Sequence, residues 1–155
     1  MMTKQELRKQ IREEVKRMSA ADRDTQSLFI CLQILGSAEW QEASTVMLYN
    51  ALPDEVSLQL LIDDASGSGK EIIIPEQGAH APVIPDEVLS QIDFAIIPGR
   101  AFTRNGKRMG RGGGWYDRIL PKMKCPRWGV AFNCQVKKDV PTDEWDIKMN
   151  KVVTA

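Results

Sequence analysis

The chain has a single histidine, His80, which argues at once against an active site built on a Ser-His-Asp triad or a cluster of histidine ligands. Its three cysteines, Cys31, Cys125 and Cys134, are widely spaced, and none sits in a Cys-x-x-Cys arrangement. A disulfide framework and a zinc site are therefore not expected, and a reducing cytoplasm is. Net charge is missing too, since 21 basic residues balance 21 acidic ones. A nucleic-acid binder driven by bulk charge is disfavoured, and any site for a polyanion must be local. No apolar run approaches the roughly 20 residues that span a bilayer. The charged, helix-like start Met-Met-Thr-Lys-Gln-Glu-Leu-Arg does not read as a signal peptide. What remains is an ordinary globular composition, 43% hydrophobic and 27% charged over 155 residues, most simply one domain covering 1–155.

The local concentration of charge lies in residues 98–118, Pro-Gly-Arg-Ala-Phe-Thr-Arg-Asn-Gly-Lys-Arg-Met-Gly-Arg-Gly-Gly-Gly-Trp-Tyr-Asp-Arg. This stretch holds six of the 21 basic side chains and six of the 11 glycines. Glycine lets backbone N–H groups turn inward, and arginine and lysine supply charge for a polyanion. An apolar run, Phe94 to Ile97, precedes it and a helix-like segment follows. It reads as a phosphate cradle at a strand-to-helix junction, with Arg111 and the backbone around the phosphates. No Gly-Lys-Ser/Thr ends it, and it is too long and too basic for the short turn of a dinucleotide fold. Asp117, about one turn into the helix, is placed to hold Mg²⁺ beside phosphates. The plainer alternative is a surface loop followed by an aspartate that the helix dipole favours anyway.

Along the chain, Thr3-Lys-Gln-Glu6 matches a capping box, and Leu7, Ile11, Val15 and Met18 recur at helical spacing. The lysines and arginines on the opposite face read as solvated. Ser19 starts a second helix that runs to about Leu35 and stops at Gly36. Strands are expected at Thr45–Tyr49, Glu71–Pro75, Asp93–Pro98, Trp128–Phe132 and 151–154, with a helix opened by Pro53 and Asp54 and a flexible turn at Ser66–Gly69. Residues 75–90, with three prolines and His80, look irregular apart from a helical turn near Asp86. A further helix begins near Gly114, limited by Pro121. Strands alternating with helices indicate an α/β domain whose mainly parallel sheet presents ligand sites at the strands' carboxyl ends. Asn50 to Glu55, the glycine-rich loop and the segment after Phe132 fall there.

Several of these residues have two readings. Asp54-Glu55 is either an acid pair for a substrate or simply a helix cap. Asp143, Glu144 and Asp146 read first as a solvated acidic turn. Trp115 and Tyr116 are placed to stack on a ring, although aromatics at a helix start more often belong to the core.

Taken as a whole, Pro98-Gly-x-Ala-Phe-x-x-x-Gly-x-Arg-x-Gly-x-Gly-Gly-Gly-Trp-Tyr-Asp-Arg118 resembles the signature of the 5-formyltetrahydrofolate cyclo-ligase (methenyltetrahydrofolate synthetase) family. Lys4-x-x-Leu-Arg8, Asn50 to Glu55 and Asp146 follow the family order. The resemblance implies a three-layer α/β/α fold with a mainly parallel, Rossmann-like sheet of the CoA-transferase-like type. It implies an enzyme that uses ATP and Mg²⁺ to convert 5-formyltetrahydrofolate to 5,10-methenyltetrahydrofolate, releasing ADP and phosphate. By the same resemblance, Lys4, Arg8, Arg108, Gly110, Arg111, Gly112, Gly113 and Gly114 take the triphosphate, with Trp115 and Tyr116 beside it. Asn50, Glu55, Arg111 and Trp115 take the folate, Asp117 and Asp146 hold magnesium, and Arg111 and Asp117 are the catalytic pair. The expected partners are these small molecules, with no nucleic acid or membrane, and the expected state is a monomer. Two competing readings are a shortened homologue that binds nucleotide or folate without turnover, and an RNA binder. Zero net charge and sparse aromatics argue against the second.

Overall fold

The computed structural model describes residues 2–76 and 81–155, so the expectation for His80 lies outside the described residues. Helix α1 (Lys4–Arg17) opens on Thr3, whose hydroxyl accepts from the Glu6 amide while the Glu6 carboxylate accepts from the Thr3 amide. That is the expected capping box, and Leu7, Ile11 and Val15 line the buried stripe. Helix α2 (Ala20–Leu35) starts at its Ser19 cap and ends at Gly36, as expected. A short helix α3 (Ala38–Glu42) follows, capped by Ser37 and unforeseen in the sequence. The chain continues through β1 (Thr45–Met47), α4 (Gln59–Ser68), β2 (Glu71–Ile73), α5 (Asp86–Leu89) and β3 (Phe94–Ile97). Next come a two-stranded hairpin of β4 (Ala101–Phe102) and β5 (Arg108–Met109), helix α6 (Trp115–Ile119), β6 (Arg127–Val130) and β7 (Lys151–Val153).

Five strands form one wholly parallel sheet in the order β2-β1-β3-β6-β7. Val46 pairs with Ile72 on one side and Phe94 on the other, and Ile96 pairs with Trp128. Successive strand side chains point to opposite faces, and this period of two builds the layers. Val46, Phe94, Ile96, Trp128 and Val153 join the core under α1, α2 and α4. Met47, Ala95 and Ile97 join the core under α5 and α6, with Leu89, Ile119, Leu120 and Met123. Helices thus cover both faces, the expected three-layer α/β/α arrangement. Among the described residues no helix is long and apolar enough to cross a membrane.

Three local expectations are corrected. The helix expected from Pro53 and Asp54 begins only at Gln59, with no side-chain cap. Residues 48–58 instead fold back on themselves: buried Tyr49 donates its hydroxyl proton to the Val56 carbonyl, and the Ser57 amide donates to the Ser27 hydroxyl. The flexible turn at Ser66–Gly69 is largely the last turn of α4, closed by Gly69 in the left-handed region at φ 78°. The glycine-rich stretch follows β3 directly, as expected, but it is not one continuous loop, because it contains the β4–β5 hairpin. Asn105-Gly106 is the sequence signal for that hairpin, and Gly106 has φ 99°.

The strand order reverses between β1 and β3, and the helices that follow these strands, α4 and α6, pack on opposite faces. A crevice opens at the carboxyl ends of such neighbours. The loop after β1 and the hairpin and glycine-rich loop after β3 are its walls.

Candidate active site

The crevice is a cavity of about 990 Å³. Lys4 and Arg8 of α1, Leu52 and Glu55 after β1, and Pro98, Arg108, Gly110 to Arg118 and Asp146 line it. Nearly all the residues singled out in the sequence therefore meet in one place, although they come from four separate parts of the chain. Asn50 does not: it is exposed just past β1 and does not line the cavity. β1 ends at Met47 rather than Tyr49, and the back-folded loop turns Glu55, not Asn50, inward.

Glu55 is only 8% exposed. One carboxylate oxygen, Oε1, accepts from the Leu52 amide at 2.9 Å, while Oε2 is buried without a hydrogen-bond partner among the described residues. Burial pushes its carboxyl above the ordinary glutamate value, and the Leu52 hydrogen bond offsets part of that rise. Two other orphaned groups lie in the same cavity, the Trp115 indole Nε1 and the Tyr116 hydroxyl. Buried polar groups are nearly always paired, so three unpaired ones on residues that line one crevice make it the candidate ligand site. Burial also pushes the Tyr116 phenol well upward, which keeps it a neutral hydroxyl. Trp115 and Tyr116 pack edge to face at 4.9 Å and belong to the core beneath α6, so core and cavity roles coincide in them.

Four of the cavity's cations, Lys4, Arg8, Arg108 and Arg111, are held by partners. Arg8 reaches across from α1 and donates from Nε to the Gly110 carbonyl at 3.0 Å, tying the first helix to the glycine-rich loop. Lys4 pairs with Asp143 at 3.1 Å, and the Asp143 amide donates to Asp146 at 2.7 Å. Through these two bonds α1 also anchors the segment that carries Asp146. Arg108 donates from Nε to the Pro98 carbonyl at 2.8 Å and lies over the Tyr116 ring at 5.1 Å. Its guanidinium is buried, which lowers its pKa, while Asp117, Tyr116, Asp146 and Glu55 draw it back up. Arg108 is thus within electrostatic reach of both candidate metal ligands.

Asp117 projects from the first turn of α6, its side chain 56% exposed and 3.7 Å from Arg108 Nη1. No group of three or more His, Cys, Asp and Glu side chains capable of holding a metal occurs among the described residues. Two cavity carboxylates suit Mg²⁺, which binds through one or two carboxylates together with substrate phosphates and water. Helix α6 has only five residues, so its dipole contributes less than the sequence suggests. Loop geometry matters more. Gly112 and Gly114 have φ of 110° and 70°, conformations that L side chains rarely adopt, whereas Gly113 has ordinary φ and open space around it.

Arg100 and Gln135 escaped sequence reasoning, and so did the partners of Asp54. Asp54 caps nothing; Arg100 and Arg111 both pair with it, at 2.6 and 3.1 Å, and their hydrogen bonds hold its carboxyl below the usual range although burial alone would raise it. Arg100 is 7% exposed, buried far more than a loop arginine usually is. Gln135 is buried behind it and donates to the Gly99 and Arg100 carbonyls at 3.2 and 3.1 Å. The only sequence signals were the Asp54-Glu55 adjacency and the count of basic residues, and neither says which charges meet.

Known proteins share this fold. In solved structures, a 5,10-methenyltetrahydrofolate synthetase from Mycoplasma pneumoniae superposes with a TM-score of 0.83 at 22% identity, covering 99% of both chains. At that identity the likeness speaks for the fold. The 5,10-methenyltetrahydrofolate synthetase of Aquifex aeolicus gives 0.82 at 29% identity, covering 98% of this chain and 89% of its own. In sequence, the 5-formyltetrahydrofolate cyclo-ligase of Escherichia coli K12 is 30% identical over 145 residues, 72% of this chain and 78% of that protein. The mouse cyclo-ligase is 25% identical over 187 residues, 97% of this chain and 92% of its own. That alignment is longer than the chain itself, so the mouse protein carries insertions. The family profile matches residues 1–82 and 77–155, two stretches that meet between β2 and α5. With both halves matched and the crevice formed where they converge, the chain belongs to the 5-formyltetrahydrofolate cyclo-ligase family.

Proposed function

We propose that this chain converts 5-formyltetrahydrofolate to 5,10-methenyltetrahydrofolate at the expense of ATP, with Mg²⁺, in a single cytoplasmic domain. The observation that carries the reading is the pairing, in one cavity, of a cationic glycine-rich loop with three buried groups that lack partners. The loop suits a triphosphate. The orphaned Glu55 Oε2 suits the N–H donors of a pterin ring, and Trp115 and Tyr116 are placed to border the two ligands.

In this reading Lys4, Arg8, Arg108, Arg111 and the backbone of Gly110 and Gly112–Gly114 hold the triphosphate, and Glu55, Arg111 and Trp115 hold the folate. The formyl oxygen attacks the γ-phosphorus, the bond to the β-phosphate oxygen breaks, and ADP leaves. N10 then attacks the activated formyl carbon, loses its proton, and the carbon–oxygen bond to phosphate breaks. Ring closure and phosphate release give the methenyl product. Bound by Asp117 and Asp146, Mg²⁺ would offset charge on the phosphates. Positioning and charge neutralisation supply most of the rate in such transfers, so the reaction requires neither a histidine nor an activated nucleophile. Three free cysteines suit a reducing compartment.

The test is a spectroscopic assay of methenyl formation together with phosphate release, on folded protein with ATP, Mg²⁺ and 5-formyltetrahydrofolate. Product with stoichiometric phosphate is expected. Tight binding of either ligand with no product overturns the enzyme in favour of a binding protein.

A further inference from the structure

Lys4, Arg8, Arg108 and Arg111 each have partners, but Arg111 differs in where its partners lie. Arg8 and Arg108 hydrogen-bond carbonyls of the β3–α6 stretch, and Lys4 reaches Asp143. Arg111 instead crosses to the loop after β1. It donates from Nη1 and Nη2 to the two oxygens of Asp54, at 3.1 and 3.4 Å, and its Nη1 lies 3.6 Å from Glu55 Oε2. Fork-to-carboxylate contacts of this kind set direction as well as energy. Arg111, assigned above to both the triphosphate and the folate, therefore rests on the folate side of the cavity.

Asp54 is itself fixed from behind. Arg100 Nη1 donates to Asp54 Oδ2 at 2.6 Å, and the Arg100 backbone is pinned at both ends, its amide to the Met109 carbonyl and its carbonyl to Gln135. A buried arginine on a rigid hairpin thus holds the carboxylate that holds Arg111.

We propose that Asp54, anchored by Arg100, is a positioning residue that holds Arg111 on Glu55 and makes nucleotide and folate bind cooperatively. The proposal rests on the function given above. Moving Arg111 to a phosphate takes the nearest cation from Glu55, whose Oε2 has no other partner. That step is costly in the empty site and cheaper once N–H donors of a folate occupy Glu55. Folate therefore raises nucleotide affinity, and by linkage nucleotide raises folate affinity by the same factor.

Calorimetry with a non-hydrolysable ATP analogue and Mg²⁺, with and without 5-formyltetrahydrofolate, tests this on the whole chain. In the wild type, folate tightens nucleotide binding by about fivefold, the lower end of ordinary coupling between sites. Asp54→Asn loosens the hold on Arg111, so nucleotide binds about fivefold tighter without folate and the coupling shrinks, as expected for one half-exposed charge pair. Arg100→Met leaves Asp54 with Arg111 as its only partner, so nucleotide alone binds about threefold weaker than to the wild type. Opposite signs separate positioning from damage, because a destabilised fold weakens binding in both variants. An Asp54→Asn variant that binds nucleotide no tighter than the wild type overturns the proposal, as does a wild type with no coupling. A wild type that binds no nucleotide removes the underlying function as well.

Discussion

Glu55→Gln should move stability and folate affinity in opposite directions. The side chain is 4% exposed, with Oε1 accepting from the Leu52 amide and Oε2 unpaired 3.6 Å from Arg111. Glutamine keeps the Oε1 bond and removes a buried charge. The carboxyl's folded pKa lies above its unfolded value, so ionised Glu55 costs the native state stability. That cost appears as pH rises through the unfolded pKa and is complete above the folded one. The glutamine amide is itself an unpaired donor facing Arg111, which returns part of the gain, leaving a net change of about 0 to 1 kcal/mol. For a chain of this size that is a rise in Tm of at most about 4 °C at neutral pH, shrinking toward acid. Binding behaves differently. Hydrogen bonds to charged groups are worth about 1.5–3 kcal/mol each, and two pterin donors facing an amide nitrogen lose both. Folate affinity should fall at least about a hundredfold. Thermal melts from pH 4 to 8 and a folate titration read the two effects separately. A variant that melts well below the wild type yet binds folate within a few-fold would show that Glu55 is structural and refute the reasoning.

Three further outcomes can be checked. Gly112→Ala places a Cβ at φ 110° and should weaken nucleotide binding about tenfold through roughly 1–3 kcal/mol of backbone strain, while Gly113→Ala, at ordinary φ in open space, should leave it unchanged; equal effects in a nucleotide titration would contradict the loop geometry. Asp117→Asn, at an exposed side chain whose ion-pair contact with Arg108 is 3.7 Å, should leave Tm in place and cut Mg²⁺-dependent phosphate release by at least about tenfold, and unchanged release would remove the metal assignment. Cys31 is buried and its thiol is pushed up to about 11, so iodoacetamide at pH 8 should label Cys125 and Cys134 in the folded protein and reach Cys31 only on unfolding, an order that mass spectrometry reads directly.

Much of the architecture was legible because its causes are local. Thr3, Ser19 and Gly36 mark their helix boundaries through hydrogen bonds and backbone geometry within one turn, and the structure places the boundaries there. The five strands of the parallel sheet were found, each a residue or two long, because a buried parallel strand leaves a continuous apolar run, whereas β4 and β5 were not expected. Where a local signal competed with a distant partner, the reading failed. Pro53-Asp54 is a plausible helix start, but Tyr49, Ser27 and the two arginines hold residues 49–57 in another shape. Asn50 was misplaced for a similar reason, since the direction of a side chain in a back-folded loop depends on what that loop packs against.

The sequence by itself determined the α/β class and the gathering of glycine and arginine in residues 98–118, beyond the carboxyl end of a strand. These follow from periodicity, capping and local composition. Only the tertiary structure decided which charges meet. It brings Arg8 to Gly110, Lys4 to Asp143, and Arg100 and Arg111 to Asp54, pairs separated by 46 to 139 positions in the chain. Such pairings depend on the strand order and on which groups water can still reach, and neither quantity is written in any local stretch of residues.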